Sequence, residues 1–236
     1  MTTAAIMQPT YLPWCGYFGL MNLVDIFVIY DDVQFDKRSW QQRNKIKTPA
    51  GSQWLTVPVE SKGQQFQKIN DVKISSQKDF TKNHIKAIET NYSKSRYFKE
   101  YKSLIFECIE DNKNSLVDLN CSIIITISKI LCIDTKIIRS SELKISGKKE
   151  ERLVEICKKI KVNSYISPQG SKDYLADGSL FKRNNIYLSY FNFLHPEYTQ
   201  INGSFIAHMA VIDILFNCGS DRAIELIKQS SLIEKI

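Results

Sequence analysis

Residues 26–30, Ile-Phe-Val-Ile-Tyr, form an unbroken run of β-branched and aromatic side chains. A strand alternates its side chains between two faces, so a run of this kind needs cover on both. That is the situation of a strand inside a parallel sheet. The preceding residues complete the unit. Residues 3–7 are a shorter apolar run that reads as a buried strand. Pro9 and Pro13 forbid regular helix or central strand between them, which predicts a rigid loop over residues 9–13. Residues 14–24 can form a helix with Phe18, Met21, Leu20 and Val24 inward and Trp14 as core. Strand, turn, helix and strand then lead to Asp31 and Asp32 at a strand tip.

The rest of the chain keeps this alternation and interrupts it once. Residues 38–47 are polar and basic around Trp40. Residues 53–59 alternate and read as a strand, with Pro58 at an edge or end. Residues 64–76 suggest a hairpin or loop with a short strand at 72–74. Three helices are predicted over 79–91, 97–110 and 115–131, the last with a broad face of Leu116, Leu119, Ile123, Ile124, Ile127 and Ile130. Strands are then expected at 136–138, 164–167 and 186–191, with helices at 148–160, 206–217 and 221–228. Gly219 suits a left-handed cap after the 206–217 helix. The expected fold is α/β, a mainly parallel sheet flanked by helices, with a central helical layer or subdomain near residues 78–131. The whole of residues 1–236 reads as one domain.

Composition narrows the function classes. Hydrophobic residues make up 43% of the 236 and charged residues 24%, so wholesale disorder is excluded. The net charge of +7 permits an anionic partner without choosing one, and scattered surface lysine is the plainer explanation. The opening residues carry no basic segment followed by an apolar stretch, so no export signal is expected. The most apolar run, 122–133, is interrupted by Thr126, Ser128 and Lys129 and is too short to span a bilayer. The expectation is a cytoplasmic protein with its six cysteines reduced. Cys108, Cys121, Cys132 and Cys157 read as core thiols, and no C-x-x-C pair indicates a metal knuckle.

Six stretches carry residues suited to chemistry. Gln8 and Tyr11 follow the first strand, where ligands of open α/β sheets bind. Asp31 and Asp32 point to opposite faces, so one can serve as a base or hydroxyl acceptor while the other caps a turn. No metal site is predicted. Gln34, Arg43 and Asn44 can read phosphate, amides or sugar hydroxyls, and Lys45 adds charge. Trp40 offers a flat face to a sugar or base. A solvated basic loop is the plainer alternative. His84 can work as a general base near neutral pH, or be a satisfied histidine. The Ser167–Tyr174 turn places Lys172 near a helix start without Walker spacing. Tyr198 and Gln200 share a face if extended, and Asp213, inside an apolar helix, reads as structural support.

These segments occur as an ordered set: QPTYLPWCGYF from residue 8, DDVQF from 31, RSWQQRNKIK from 38, WLTVPV from 54, YISPQGSKDYL from 165, EYTQ from 197 and DILFNCG from 213. In that order they resemble the WbqC-like family over nearly the whole chain. Cys15 stands where an aliphatic residue is expected, which weighs against a nucleophilic role for it. The resemblance implies a place in bacterial surface-polysaccharide (O-antigen) biosynthesis, and the leading expectation built on it is a transferase acylating or aminoacylating a nucleotide-linked amino sugar. On that reading Arg43, Lys45 and Lys172 hold a phosphate-bearing group of a nucleotide sugar or acyl donor. Asp32 or His84 takes a proton, and Gln8, Tyr11 and Asn44 orient the acceptor. Gln34, Tyr198 and Gln200 are further substrate contacts. The alternatives are a metal-dependent glycosyl- or nucleotidyltransferase using Asp31 or Asp32, and a non-enzymatic ligand-binding protein of the same pathway. A nucleic-acid partner is not expected, because no known module is present. The residues name no cofactor and no oligomeric state.

Overall fold

A computed structural model describes residues 1–60, 62–64, 66–76, 79–111, 114–172, 175 and 178–235 of the chain. Tyr174 and Gln65, which fall within two of the stretches above, lie outside the described residues.

Among the described residues six strands form one sheet and two more form a hairpin. The chain opens with β1 (Thr3–Met7), α1 (Cys15–Asn22) and β2 (Ile26–Ile29). β1 and β2 pair in parallel, Ala4 opposite Ile26 through Met7 opposite Ile29. After β2 comes the hairpin of β3 (Arg43–Thr48) and β4 (Gly51–Thr56), so the basic stretch becomes a strand from Arg43 onward. Three helices follow: α2 (Phe80–Tyr92), α3 (Phe98–Glu110) and α4 (Leu116–Ile130). Only then does β5 (Lys136–Arg139) join the sheet beside β2. The short α5 (Ser140–Leu143) and α6 (Lys149–Lys159) lead to β6 (Ser164–Pro168), which returns to the other side of β1. After α7 (Ser179–Arg183), β7 (Tyr187–Phe193) pairs in parallel with β6. Finally α8 (Ile212–Gln229) feeds β8 (Ser231–Lys235), antiparallel to β7.

The sheet order is therefore β5-β2-β1-β6-β7-β8. The chain builds outward from β1 in one direction, then reverses and builds in the other. Alternation along the central strands explains why they are apolar throughout. Ala5, Phe27 and Ile29 face one core, shared with α1, α8 and the three-helix layer. Ala4, Ile6 and Val28 face the other, shared with α6 and the residues around α7. No described helix is long and apolar enough to cross a membrane.

Four local expectations need correction. Residues 72–74 form no strand: a 3₁₀ turn at Ile69–Asp71 is followed by isolated bridges from Lys73 to Ser115 and Ile74 to Val59. Residues 206–211 are not helical; helix begins at Ile212 and runs to Gln229 with a break at Gly219. That glycine has φ 79° and ψ 168°, an extended conformation at positive φ rather than a left-handed cap, and essentially only glycine adopts it. Cys132 is exposed, because the chain turns at positive φ just beyond α4, whereas Cys108, Cys121 and Cys157 are buried as expected.

Candidate functional site

An open sheet with this reversal has a crevice outside the carboxyl ends of the two strands where the direction changes. Here those strands are β1 and β6. A cavity of about 350 Å³ lies there. Ile6, Met7, Gln8 and Thr10 contribute the end of β1 and its turn, and Tyr165 and Pro168 contribute β6. Tyr30, just past β2, closes one side. Lys149 and Leu153 come from the first turn and second turn of α6, and Ser39, Trp40 and Gln41 from the segment before the hairpin. Aromatic walls and a few polar groups are the usual make-up of a small-molecule site.

The turn after β1 is held at almost every residue. The Tyr11 N–H donates to the Trp40 carbonyl at 3.0 Å, and the Val211 N–H donates to the Pro13 carbonyl at 2.8 Å. Leu12 sits at φ +43°, and its carbonyl accepts from Asn44 Nδ2 at 2.6 Å. Asn120, fully buried on α4, donates its Nδ2 to the Gln41 carbonyl at 2.8 Å and to that of Pro9 at 3.4 Å. One side chain thus ties the turn to the 39–41 wall. The Tyr11 hydroxyl meets His84 Nδ1 at 2.8 Å, with both residues buried. Burial lowers the His84 pKa to about 4, against a smaller opposing effect of a hydrogen bond to the Thr56 backbone. The ring is therefore neutral at ordinary pH. Burial likewise raises the Tyr11 hydroxyl far above its usual range.

Of the residues singled out from the sequence, Trp40 lines the cavity, and so does Gln8. Its Oε1 accepts from Gln41 Nε2 at 2.8 Å, which leaves its own NH₂ group as the donor for a ligand. The remaining ones gather into separate groups. Tyr11 and His84 pair with each other. Asn44 is spent on Leu12 and on the Lys45 N–H. Asp32 bonds Arg152 and accepts from the Ser140 hydroxyl. Asp31 accepts from Arg139 Nε at 2.7 Å and from the Ser141 hydroxyl and N–H at 2.8 and 2.9 Å. Burial would raise the Asp31 pKa, but these donors together outweigh it and hold the carboxyl below its usual range. Tyr198 and Gln200 both donate to Asp213, at 2.8 and 2.7 Å, and Tyr92 adds a third bond at 2.7 Å. Lys172 pairs with Glu234 at 2.7 Å and lies over the Tyr190 ring. Gln34 lines a separate open hollow with Lys37 and Gln67. Arg43 and Lys45 lie over Trp54, at 4.2 and 4.9 Å from the ring centroid.

The proline-bracketed turn and the segment before the arginine meet at one cavity, then, but mostly through other side chains. Thr10, Tyr30, Gln41, Lys149, Tyr165 and Asn120 were not found from the sequence. Tyr30 and Pro168 were findable in principle, since each ends a strand run. The α6 N-terminus carries no side-chain cap at Lys148, so its field and the Lys149 cation favour an anion, offset in part by Glu150 and Glu151 in the same turn.

Comparison with known proteins adds one relative and one family. The chain is 36% identical over 223 residues to "Uncharacterized protein Rv1507c" of Mycobacterium tuberculosis (strain ATCC 25618 / H37Rv), a match covering 94% of this chain and 96% of that one. No solved structure matches significantly. The model of the WbqC-like protein family matches residues 8–225. With nearly its whole length matched, the chain belongs to the WbqC-like protein family.

Proposed function

We propose that this protein is a cytoplasmic transferase of bacterial surface-polysaccharide biosynthesis, which acylates or aminoacylates a nucleotide-linked amino sugar held at the sheet reversal. The observation that carries the reading is the cavity between β1 and β6, with Lys149 and the uncapped start of α6 on one side and Gln8 and Gln41 on the other. Sugar hydroxyls and amides suit the two glutamines, and the pyranose faces suit Tyr30, Tyr165 and Trp40. The link to polysaccharide assembly rests on the family resemblance. In the reaction the sugar amine attacks the acyl carbonyl carbon, the carrier leaves, and the amine proton passes to solvent or the carrier. Among the described residues the lining includes no cysteine, histidine or carboxylate, so the part assigned to the protein is to hold both substrates in line.

That same lining favours a second reading, a ligand-binding protein with no turnover. Calorimetry with nucleotide-linked amino sugars, followed by product assay with thioester and aminoacyl donors, separates the two. Binding with product formation supports the transferase, and binding alone supports the second reading. Binding unaffected by Gln8→Ala and by Lys149→Ala refutes the placement in this cavity. Activity that disappears on chelation and returns with a divalent ion favours metal-dependent glycosyl or nucleotidyl transfer instead.

A further inference from the structure

Trp40 belongs to the cavity wall, but the residue is 48% exposed and its ring also meets that of Trp54, a residue 39% exposed, at a centroid distance of 5.3 Å. Large exposed aromatic pairs are uncommon on a surface unless something covers them. This pair stands beside two cations. Trp54 lies opposite Lys45 in the hairpin register, and Arg43 is two residues along the same strand, so all three side chains share one face. The Arg43 guanidinium lies 4.2 Å from the Trp54 centroid and the Lys45 ammonium 4.9 Å. Among the described residues neither cation forms an ion pair, although lysines and arginines elsewhere on the molecule do. The Arg43 Nε is sealed from solvent and has no hydrogen-bond partner there. Stacking on indole holds the two side chains in place while leaving their charge unneutralised.

The surface therefore offers a flat π-face and two fixed, uncompensated cations within one short hairpin, continuous with the cavity through Trp40. The hairpin is rigid relative to the turn, since Asn44 between the two cations is bonded to Leu12 and the Ala210 N–H donates to the Lys45 carbonyl at 2.8 Å. A ligand matching both features has an aromatic ring joined to a multiply charged anion by a short spacer. Guanidinium and ammonium groups take phosphate oxygens, and indole takes the face of any base.

We infer that the Trp40–Trp54 pair with Arg43 and Lys45 is the nucleoside-diphosphate subsite of this protein: the base stacks on the exposed indole and the diphosphate lies on the two cations. This rests on the reading of the cavity given above, and assigns the two ends of the substrate. The sugar occupies the β1–β6 cavity and the nucleoside diphosphate lies outside it, across Trp40.

The test uses the full chain and three probes without sugar, UDP, dTDP and GDP, read by calorimetry and by quenching of tryptophan emission. At least one should bind and quench. Trp40→Ala and the double variant Arg43→Gln, Lys45→Gln should each weaken that binding at least about five-fold, the lower end of what loss of one base–aromatic contact produces. Added salt should weaken it further in the wild type and less in the double variant. Because Trp40 and Trp54 are exposed, melting temperatures of the variants should stay near the wild type, and a variant that melts early is replaced by Trp40→Phe, which should retain most of the binding. The subsite is refuted if no nucleoside diphosphate binds the wild-type chain, or if the variants bind it equally well. Gln8→Ala separates this from the cavity reading. It should weaken a nucleotide sugar more than the bare nucleoside diphosphate. If Gln8→Ala changes neither while the tryptophan and cation variants change both, the subsite stands and the cavity placement fails. If only Gln8→Ala matters, the cavity stands and the subsite fails.

Discussion

Protonating His84 should loosen the turn that frames the cavity, and the size of the effect follows from its burial. In the folded chain its pKa is lowered from 6.5 to about 4, chiefly by burial. The imidazole is therefore neutral when folded and charges readily when unfolded. A folded-state pKa below the unfolded one means that the unfolded chain binds more protons in between, so stability rises with pH across that window and is lost as pH falls through it. Between about pH 7.5 and about pH 4.5 the linkage relation gives a loss of about 2.5 kcal/mol from this group alone. Asp31 acts in the same sense: its lowered carboxyl pKa contributes stability that is present above the unfolded value and is lost as pH falls. The two are separated by His84→Gln, which retains an acceptor for the Tyr11 hydroxyl and cannot titrate. Urea unfolding of both chains at the two pH values gives a double difference in which Asp31 cancels. The wild type should lose about 2.5 kcal/mol more than the variant. Equal losses would show that His84 does not sit neutral and buried against Tyr11, and the account of the turn would fall with it.

Asn120→Leu leaves the Gln41 and Pro9 carbonyls without their donor, at a cost of about 1–2 kcal/mol; it should also weaken ligand binding in the cavity, seen by denaturation and calorimetry on the same samples. The cost stays at the low end because Asn120 Oδ1 is itself buried without a partner. Asp213→Ala strips the acceptor from two buried donors and one half-buried one, and the opposing charge from buried Lys47, and should destabilise by about 3 kcal/mol or more in urea titrations; Asp213→Asn should be milder. Gly219→Ala would place a Cβ 2.9 Å from the Tyr97 ring at a backbone angle that only glycine adopts freely, lowering stability by about 1–3 kcal/mol, visible as a lower urea midpoint with an unchanged slope.

The alternating frame was legible because each central strand is apolar on both faces: the 26–30 and 3–7 runs appear as β2 and β1 within a residue or so. The three long helices were legible for a related reason, since caps such as Asp79 and Ser115 stand immediately before their apolar faces, and both accept a backbone N–H there. β8 was not read because the exposed Leu232, Ile233 and Glu234 follow α8 directly and pair only at the sheet edge. The helix start misplaced at 206 reflects Val211, Ile212, Ile214 and Leu215, whose apolar run extends backward past Ile212 without a stop signal. For the candidate site, the strand ends read from the sequence lie at the cavity, and Gln8 and Trp40 border it. The polar residues in between misled in one consistent way. Asn44, Tyr198, Gln200 and Asp32 look like ligand groups in sequence, yet they bond buried or part-buried donors and acceptors 13–120 positions away. Sequence spacing does not reveal such long-range satisfaction. Asn120 was hidden for the opposite reason, being one amide on a helix face read as hydrophobic.

The turn after β1 takes its hydrogen bonds from Trp40, Asn44, His84, Asn120 and Val211. During synthesis, the segment that frames the cavity emerges long before Val211, the most distant of these anchors in sequence. Closure over such distances is entropically costly and slow. A nascent or shortened chain that lacks Val211 would hold this sequence with its two prolines already in place and still miss the bond to the Pro13 carbonyl, so the turn should reach its full order late in folding rather than early.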